Sequence, residues 1–178
     1  MSTHQSNPRY ALIITGPVGS GKTTVMAALT ELLEKHNQPS AGIDMDNLRW
    51  FFPKQPGDPF GGFVGRQHLA FIAANYRALG IPVLAIADVI ENEEGRQQMV
   101  ETLPDYEVQV IRLRVPMELI EKRLRVREKD EHLHWYLERA PELERIMDTR
   151  NVGDVVIDVG ARPASEVAAE IARRFGLI

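Results

Sequence analysis

The run Gly16-Pro17-Val18-Gly19-Ser20-Gly21-Lys22-Thr23 constrains this chain more than any other stretch, because of what stands on either side of it. Residues 10–14 before it are apolar, as a buried strand requires. After it, from residue 22 to 36, Val25, Met26, Leu29, Leu32 and Leu33 fall at helical spacing. The three glycines therefore lie where a strand bends into a helix. Lacking Cβ atoms, they let the backbone curl until several N–H groups aim at one point, a concavity suited to an anion. The first turn of the helix adds its positive end to the same place.

The spacing is G-x-x-x-x-G-K-[ST], that of a P-loop that cradles a nucleoside triphosphate. Gly16, Pro17, Val18, Gly19, Ser20, Gly21, Lys22, Thr23 and Thr24 form the expected nucleotide-contacting set, with ATP as the expected nucleotide. Lys22 carries its charge to the β- and γ-phosphates, and the Thr23 hydroxyl is placed to ligate Mg²⁺.

Apolar runs alternate with helical patterns along the rest of the chain. Strands are expected at about 41–44, 82–87, 107–115 and 155–158, and helices at about 47–52, 69–79, 93–102, 116–128 and 164–175. Asp46 is expected to cap the short helix at 47–52, and Pro116 to stand in the first turn of the one at 116–128. Residues 53–62 hold three prolines and three glycines and read as a loop, while 129–150 is polar and helix-prone. Five strands alternating with helices predict an α/β fold, a parallel sheet covered on both faces. No repeat or linker interrupts the 178 residues, so residues 1–178 are expected to form one domain.

Composition excludes several roles. There is no cysteine, so disulfides and thiolate metal sites are ruled out. The net charge of −4 comes without a long basic block, which argues against a polynucleotide partner. No window approaches the length of an apolar membrane span, and residues 1–9 lack a signal pattern. The chain reads as cytoplasmic. It carries no signal for an oligomeric state.

Three places supply acidic partners for the cradle. In Asp44-Met45-Asp46-Asn47-Leu48-Arg49, two carboxylates precede a guanidinium by one short turn. Asp46 is the expected acceptor of a hydroxyl proton, and Asp44 and Arg49 are expected to hold the phosphoryl acceptor. Asp46 can equally serve as a helix cap. Asp88 ends the apolar run Val83-Leu84-Ala85-Ile86-Ala87, and in a sheet ordered 2-3-1-4-5 it emerges near the magnesium. Asp158 ends the last strand, the weaker position for a ligand.

The helix at 116–128 carries Lys122, Arg123, Arg125 and Arg127. Glu118 and Glu121 stand four residues before Lys122 and Arg125, so those cations have partners already. Arg123 and Arg127 are one turn apart with no acid between them. They are the expected stabilisers of charge on a transferred phosphoryl group. Arg96, after the third strand, is a further candidate for the acceptor.

Taken together, these residues resemble small P-loop kinases of the nucleoside-monophosphate-kinase-like class, which includes shikimate, gluconate and adenylylsulfate kinases. The resemblance covers nearly the whole chain. It implies a P-loop NTPase fold with a five-stranded sheet in the order 2-3-1-4-5 and a small helical lid, here at about 129–141. It also implies that the loop Asp158-Val159-Gly160-Ala161-Arg162-Pro163 lies beside the adenine, with Arg162 in contact with the nucleotide. The Asp-x-Asp-Asn-x-x-Arg spacing is most similar to adenylylsulfate kinase, but the match is partial. Met45 stands where that family has glycine, and Ala87-Asp88-Val89-Ile90 replaces its Ser-Pro. That family's later Lys/Gly-rich substrate loop has no counterpart, so the specific assignment does not follow. Trp50-Phe51-Phe52-Pro53 and the loop after it could build a different acceptor pocket or join the core.

The leading expectation is an ATP-dependent phosphotransferase acting on a hydroxyl of a small-molecule acceptor. The alternatives are a nucleotide-dependent switch without an acceptor, and a zeta-toxin-like kinase of nucleotide-sugars or of nucleic-acid ends.

Overall fold

The computed structural model describes residues 8–128 and 131–178. In chain order the elements are β1 (Tyr10–Thr15), α1 (Lys22–Lys35), β2 (Ser40–Asp44), α2 (Met45–Leu48), α3 (Gly62–Ala78) and β3 (Val83–Ala87). They continue with α4 (Glu93–Thr102), β4 (Glu107–Arg114), α5 (Met117–Arg127), α6 (Glu131–Thr149), β5 (Val155–Asp158) and α7 (Ala164–Arg174).

The strands form one sheet in the order β2-β3-β1-β4-β5, every pair parallel. Alternation along β1 divides the core. Leu12 and Ile14 pack with Val25 and Leu29 of α1, Ile120 and Leu124 of α5, and Val167 and Ile171 of α7. Ala11 and Ile13 face the opposite way, onto Leu69 of α3, Met99 of α4 and Met147 of α6. Burial on both faces is why β1 and β3 read as unbroken apolar runs. Because β1 lies between β3 and β4, chain crossings leave it in opposite directions. The crevice at its carboxyl end is where such a sheet holds ligands.

Several boundaries differ from the sequence-based expectation, the end of the short helix at Leu48 rather than 52 among them. Helix α3 begins at Gly62, seven residues before the periodic apolar pattern. The Asp58 carboxylate starts it, accepting from the amides of Gly62 at 2.7 Å and Phe63 at 3.0 Å. The short helix starts at Met45, and its N-cap is Asp44 rather than Asp46, because Asp44 Oδ1 accepts from the Asp46 amide at 2.9 Å. Pro116 is the N-cap of α5 and not a residue of its first turn.

Of the expected lid at 129–141, residues 129 and 130 lie outside the described residues, and from Glu131 the segment is part of α6. Among the described residues no helix is long and apolar enough to cross a membrane.

Candidate active site

The cradle is built from backbone that only glycine adopts without strain. Gly16 and Gly19 have φ of 149° and 83°. A Cβ on Gly16 would stand 2.9 Å from the Leu113 carbonyl, and one on Gly19 would stand 3.1 Å from Ile120 and Leu124. The loop is thus pressed between β4 and α5, which fixes where its amides point.

Lys22 folds back across this loop, donating to the carbonyls of Gly16 and Pro17 at 3.1 Å each. Burial pulls its ammonium down from 10.5 to about 8, against the opposing fields of Asp46 and Asp88. The Thr23 hydroxyl donates to Asp44 Oδ2 at 2.8 Å. Asp44 therefore does two jobs, capping α2 with one oxygen and joining the cradle with the other. The Asp46 carboxylate lines the cleft beside Lys22 and Thr23, and among the described residues it has no hydrogen-bond or ion-pair partner.

Asp88 sits at the carboxyl end of β3, as its place after the apolar run requires. Its partner is Arg49, at 2.6 Å, and the Val89 amide adds a donor at 2.7 Å. Burial pushes the Asp88 carboxyl up, and the Arg49 guanidinium opposes the shift. The Thr23 hydroxyl meets Asp44 and not Asp88, and Arg49 is turned onto Asp88, so the roles expected of these residues redistribute within one cluster.

The arginines divide. Arg123 reaches the Ser20 carbonyl at 3.3 Å, at the start of α1. Arg127 lines the cleft, pairs with Glu128 at 2.6 Å, and lies 5.7 Å from the Tyr136 ring centre. Arg96 is held elsewhere, by Asp154 at 3.2 Å and Glu93 at 3.5 Å, and does not line the cleft. Arg162 is clasped by Glu170 at 2.8 Å and donates to the Asp158 carbonyl at 3.2 Å, also away from the cleft lining. Asp158 itself takes both Nε and Nη2 of Arg114.

The cleft has a volume of about 720 Å³. One wall is the connection into α3, with Trp50, Lys54, Phe60 and Arg66. Trp50 and Phe60 are 88% and 70% exposed and line the cleft, whereas Phe51 and Phe52 do not line it; none of the three aromatics at 50–52 joins the buried core. Lys54 Nζ donates to the Arg49 carbonyl and lies over the Phe51 ring. The facing wall is α6, with Trp135, Tyr136 and Arg139. Arg139 is tied to Glu91, just past β3, at 2.5 Å, and to Glu142 at 2.7 Å.

Sequence reasoning missed Arg66, Glu91, Trp135, Tyr136 and Arg139. A signal existed for Arg66: α3 has no Asp or Glu, the absence of partners that singled out Arg123. Arg139 and Glu91 meet across 48 positions, which no local pattern reports.

These donors suit the ligands that the motif implies. The loop amides and Lys22 match a polyphosphate, and Thr23 with Asp44 offers the hard oxygens that Mg²⁺ prefers. Among the described residues no three acidic or histidine side chains form a metal cage by themselves, so a magnesium here would share its coordination with phosphate oxygens.

The family model described as adenylylsulphate kinase matches residues 9–127. No curated protein matches the chain in sequence. Among solved structures, the tunicamycin resistance protein of Deinococcus radiodurans superposes with a TM-score of 0.66 at 18% identity, over 96% of this chain and 97% of that one. A gluconokinase from Sinorhizobium meliloti gives 0.65 at 18%, over 94% and 92%. The Mycobacterium tuberculosis APS kinase, in complex with AMPPNP and APS, gives 0.60 at 18%, over 93% and 97%. At such identities the likeness is one of fold, that of the P-loop NTPases. The family match ends at Arg127, so the wall supplied by α6 lies outside it.

Proposed function

The chain belongs to the adenylylsulphate kinase family, and from that premise we infer that it transfers the γ-phosphoryl group of ATP to a hydroxyl of a small-molecule acceptor. One observation carries the reading: Lys22, Thr23, Asp46 and Arg127 line a single cleft, bringing the phosphate cradle, a free carboxylate and a cation to one place.

The acceptor oxygen forms a bond to Pγ as the bond from Pγ to the bridging β-phosphate oxygen breaks. The bonding pair leaves with ADP, and the hydroxyl proton passes to Asp46. Lys22 faces the charge on the β- and γ-oxygens. Arg127, with Arg123 behind the loop, faces charge on the group in transit. Thr23 and Asp44 would hold Mg²⁺, which when bound neutralises phosphate charge and fixes the geometry of the triphosphate. Asp88 positions Arg49 at the floor of the acceptor side. Arg162 is left without a part, because its guanidinium is committed to Glu170. Helix α6, tied by Arg139 to Glu91, is the element suited to cover the cleft and exclude water.

The acceptor side combines exposed aromatics with Arg66, a cation that has no ion pair among the described residues. Its chemistry favours an acceptor with an apolar or planar body and a negative charge. Adenylylsulfate itself is not adopted as the acceptor. Met45, at the position where that family has glycine, is wholly buried and would lie 3.5 Å from a Cβ on Gly65, so α2 is packed under α3 in this chain's own way.

The test is ADP release in the presence of a panel of hydroxylated, anionic metabolites. The reading expects ADP formation that depends on the acceptor and falls about 10²-fold in Asp46→Asn. ADP formed at the same rate with no acceptor would mark a nucleotide hydrolase instead.

A further inference from the structure

A second hollow begins where the cleft ends. A groove of about 430 Å³ runs along α3 against the end of α4 and the start of β4, and Arg66 lines both it and the cleft. From Phe63 to Ala74 the groove follows twelve residues of α3, a rise of roughly 16 Å. Most of its exposed surface is apolar, from Phe63, Ala70 and Ala74 on α3 and Leu103, Pro104 and Tyr106 opposite. Gln67, Glu101, Thr102 and Asp105 add polar groups to the lining.

The polar groups of the far wall each have a partner within the chain. The Tyr106 hydroxyl donates to the Ile81 carbonyl at 3.0 Å, and Asp105 takes Arg77 at 3.0 Å. Glu101 takes the Gln97 amide at 3.2 Å, and the Thr102 hydroxyl donates to the Gln98 carbonyl at 2.6 Å. A polar ligand gains little in this groove, whereas an apolar one removes hydrocarbon surface from water. Among the described residues Arg66, which lines both the groove and the cleft, has no ion-pair partner, and Glu101 has none either. The exposed side of α3 carries no acid, and Phe63 is 58% exposed.

From these observations we propose that the acceptor is an amphiphile. Its hydroxyl-bearing head lies in the cleft, an anionic group of the head meets Arg66, and a hydrocarbon chain lies in the α3 groove. The proposal rests on the reading of the cleft as a kinase acceptor site and adds the substrate class. Continuity through Arg66 selects this occupant over an unrelated peptide, because that cation lines both the cleft and the groove.

The experiment is calorimetric titration of the full chain with butyl, octyl and dodecyl phosphate, each below its micelle-forming concentration. Saturating non-hydrolysable ATP analogue and Mg²⁺ keep the cradle filled. Affinity should rise along the series, by up to about fourfold per buried methylene, and dodecyl phosphate should bind at least about tenfold tighter than butyl phosphate. Ala74→Gln and Phe63→Ala, neither in the cleft, should flatten the series while leaving the affinity for the ATP analogue unchanged.

A flat series in the wild type overturns the proposal, as does a chain-length gain that both variants keep. A wild-type dimer that Ala74→Gln converts to monomer overturns it in favour of a second copy of this chain. Failure of the wild type to bind the ATP analogue would instead strike the kinase reading itself, so the two failures are told apart.

Discussion

Asp88 holds Arg49 at 2.6 Å at the cleft lining, with side-chain exposures of 4% and 18%. A pair so far out of water is held by mutual need. Each partner's charge makes the other's burial tolerable, and the raised carboxyl of Asp88 records the part of that cost its partner leaves uncovered.

Arg49→Ala should therefore leave a buried carboxylate without its counter-ion and cost about 3–5 kcal/mol of stability. Asp88→Asn in the same chain should restore much of the loss. Urea unfolding of the two single variants and the double variant measures the coupling. Additive effects would mean that the pair does not act as a unit.

Lys22 yields a prediction about pH. Burial favours its neutral form in the free protein and places its ionisation at about 8, while a bound triphosphate favours the ammonium. Binding above pH 8 must then take up a proton. Affinity for an ATP analogue should hold below pH 8 and weaken as pH rises through it, towards tenfold per unit. Calorimetry at pH 9 in buffers of different ionisation heat reads the uptake. A constant affinity from pH 7 to 10 would contradict it.

The two aspartates of α2 should separate by phenotype. Asp44 is bonded to the Thr23 hydroxyl, so Asp44→Asn should raise the Mg²⁺ concentration needed for half-maximal turnover. Asp46→Asn should leave that requirement alone and lower turnover by about 10²-fold. Magnesium titrations of both variants decide the matter, and identical magnesium curves would merge the roles.

The tie between Arg139 and Glu91 anchors α6 beside the cleft at 2.5 Å. Glu91→Gln removes one charge of the pair without changing its shape. Amide hydrogen exchange over residues 131–149 should speed up in that variant and slow again when nucleotide binds. Exchange unchanged from wild type would show that packing alone holds the helix.

Strand positions and cradle were legible because their causes are local, whereas the sheet order came only through the resemblance to small P-loop kinases. Apolar runs such as Val83–Ala87 mark strands buried on both faces, and the glycines at 16, 19 and 21 mark the bend. The beginning of α3 was not legible, because it depends on the Asp58 side chain turning back onto two amides after a loop with no periodicity. The choice of Asp44 over Asp88 as the partner of Thr23 depends on how β2 and β3 end relative to α1, a tertiary fact. Arg96 and Arg162 had the right charge, but Asp154 and Glu170 pair with them and neither lines the cleft. A sequence shows which residues can pair; packing decides which do.

The central claim is met most directly by a crystal structure with a non-hydrolysable ATP analogue and Mg²⁺. The account predicts that the β- and γ-phosphates lie on the amides of the Gly16–Thr23 loop. Lys22 should have left the carbonyls of Gly16 and Pro17, now 3.1 Å away, to meet them. A triphosphate bound elsewhere, with Lys22 still on those two carbonyls, would contradict it.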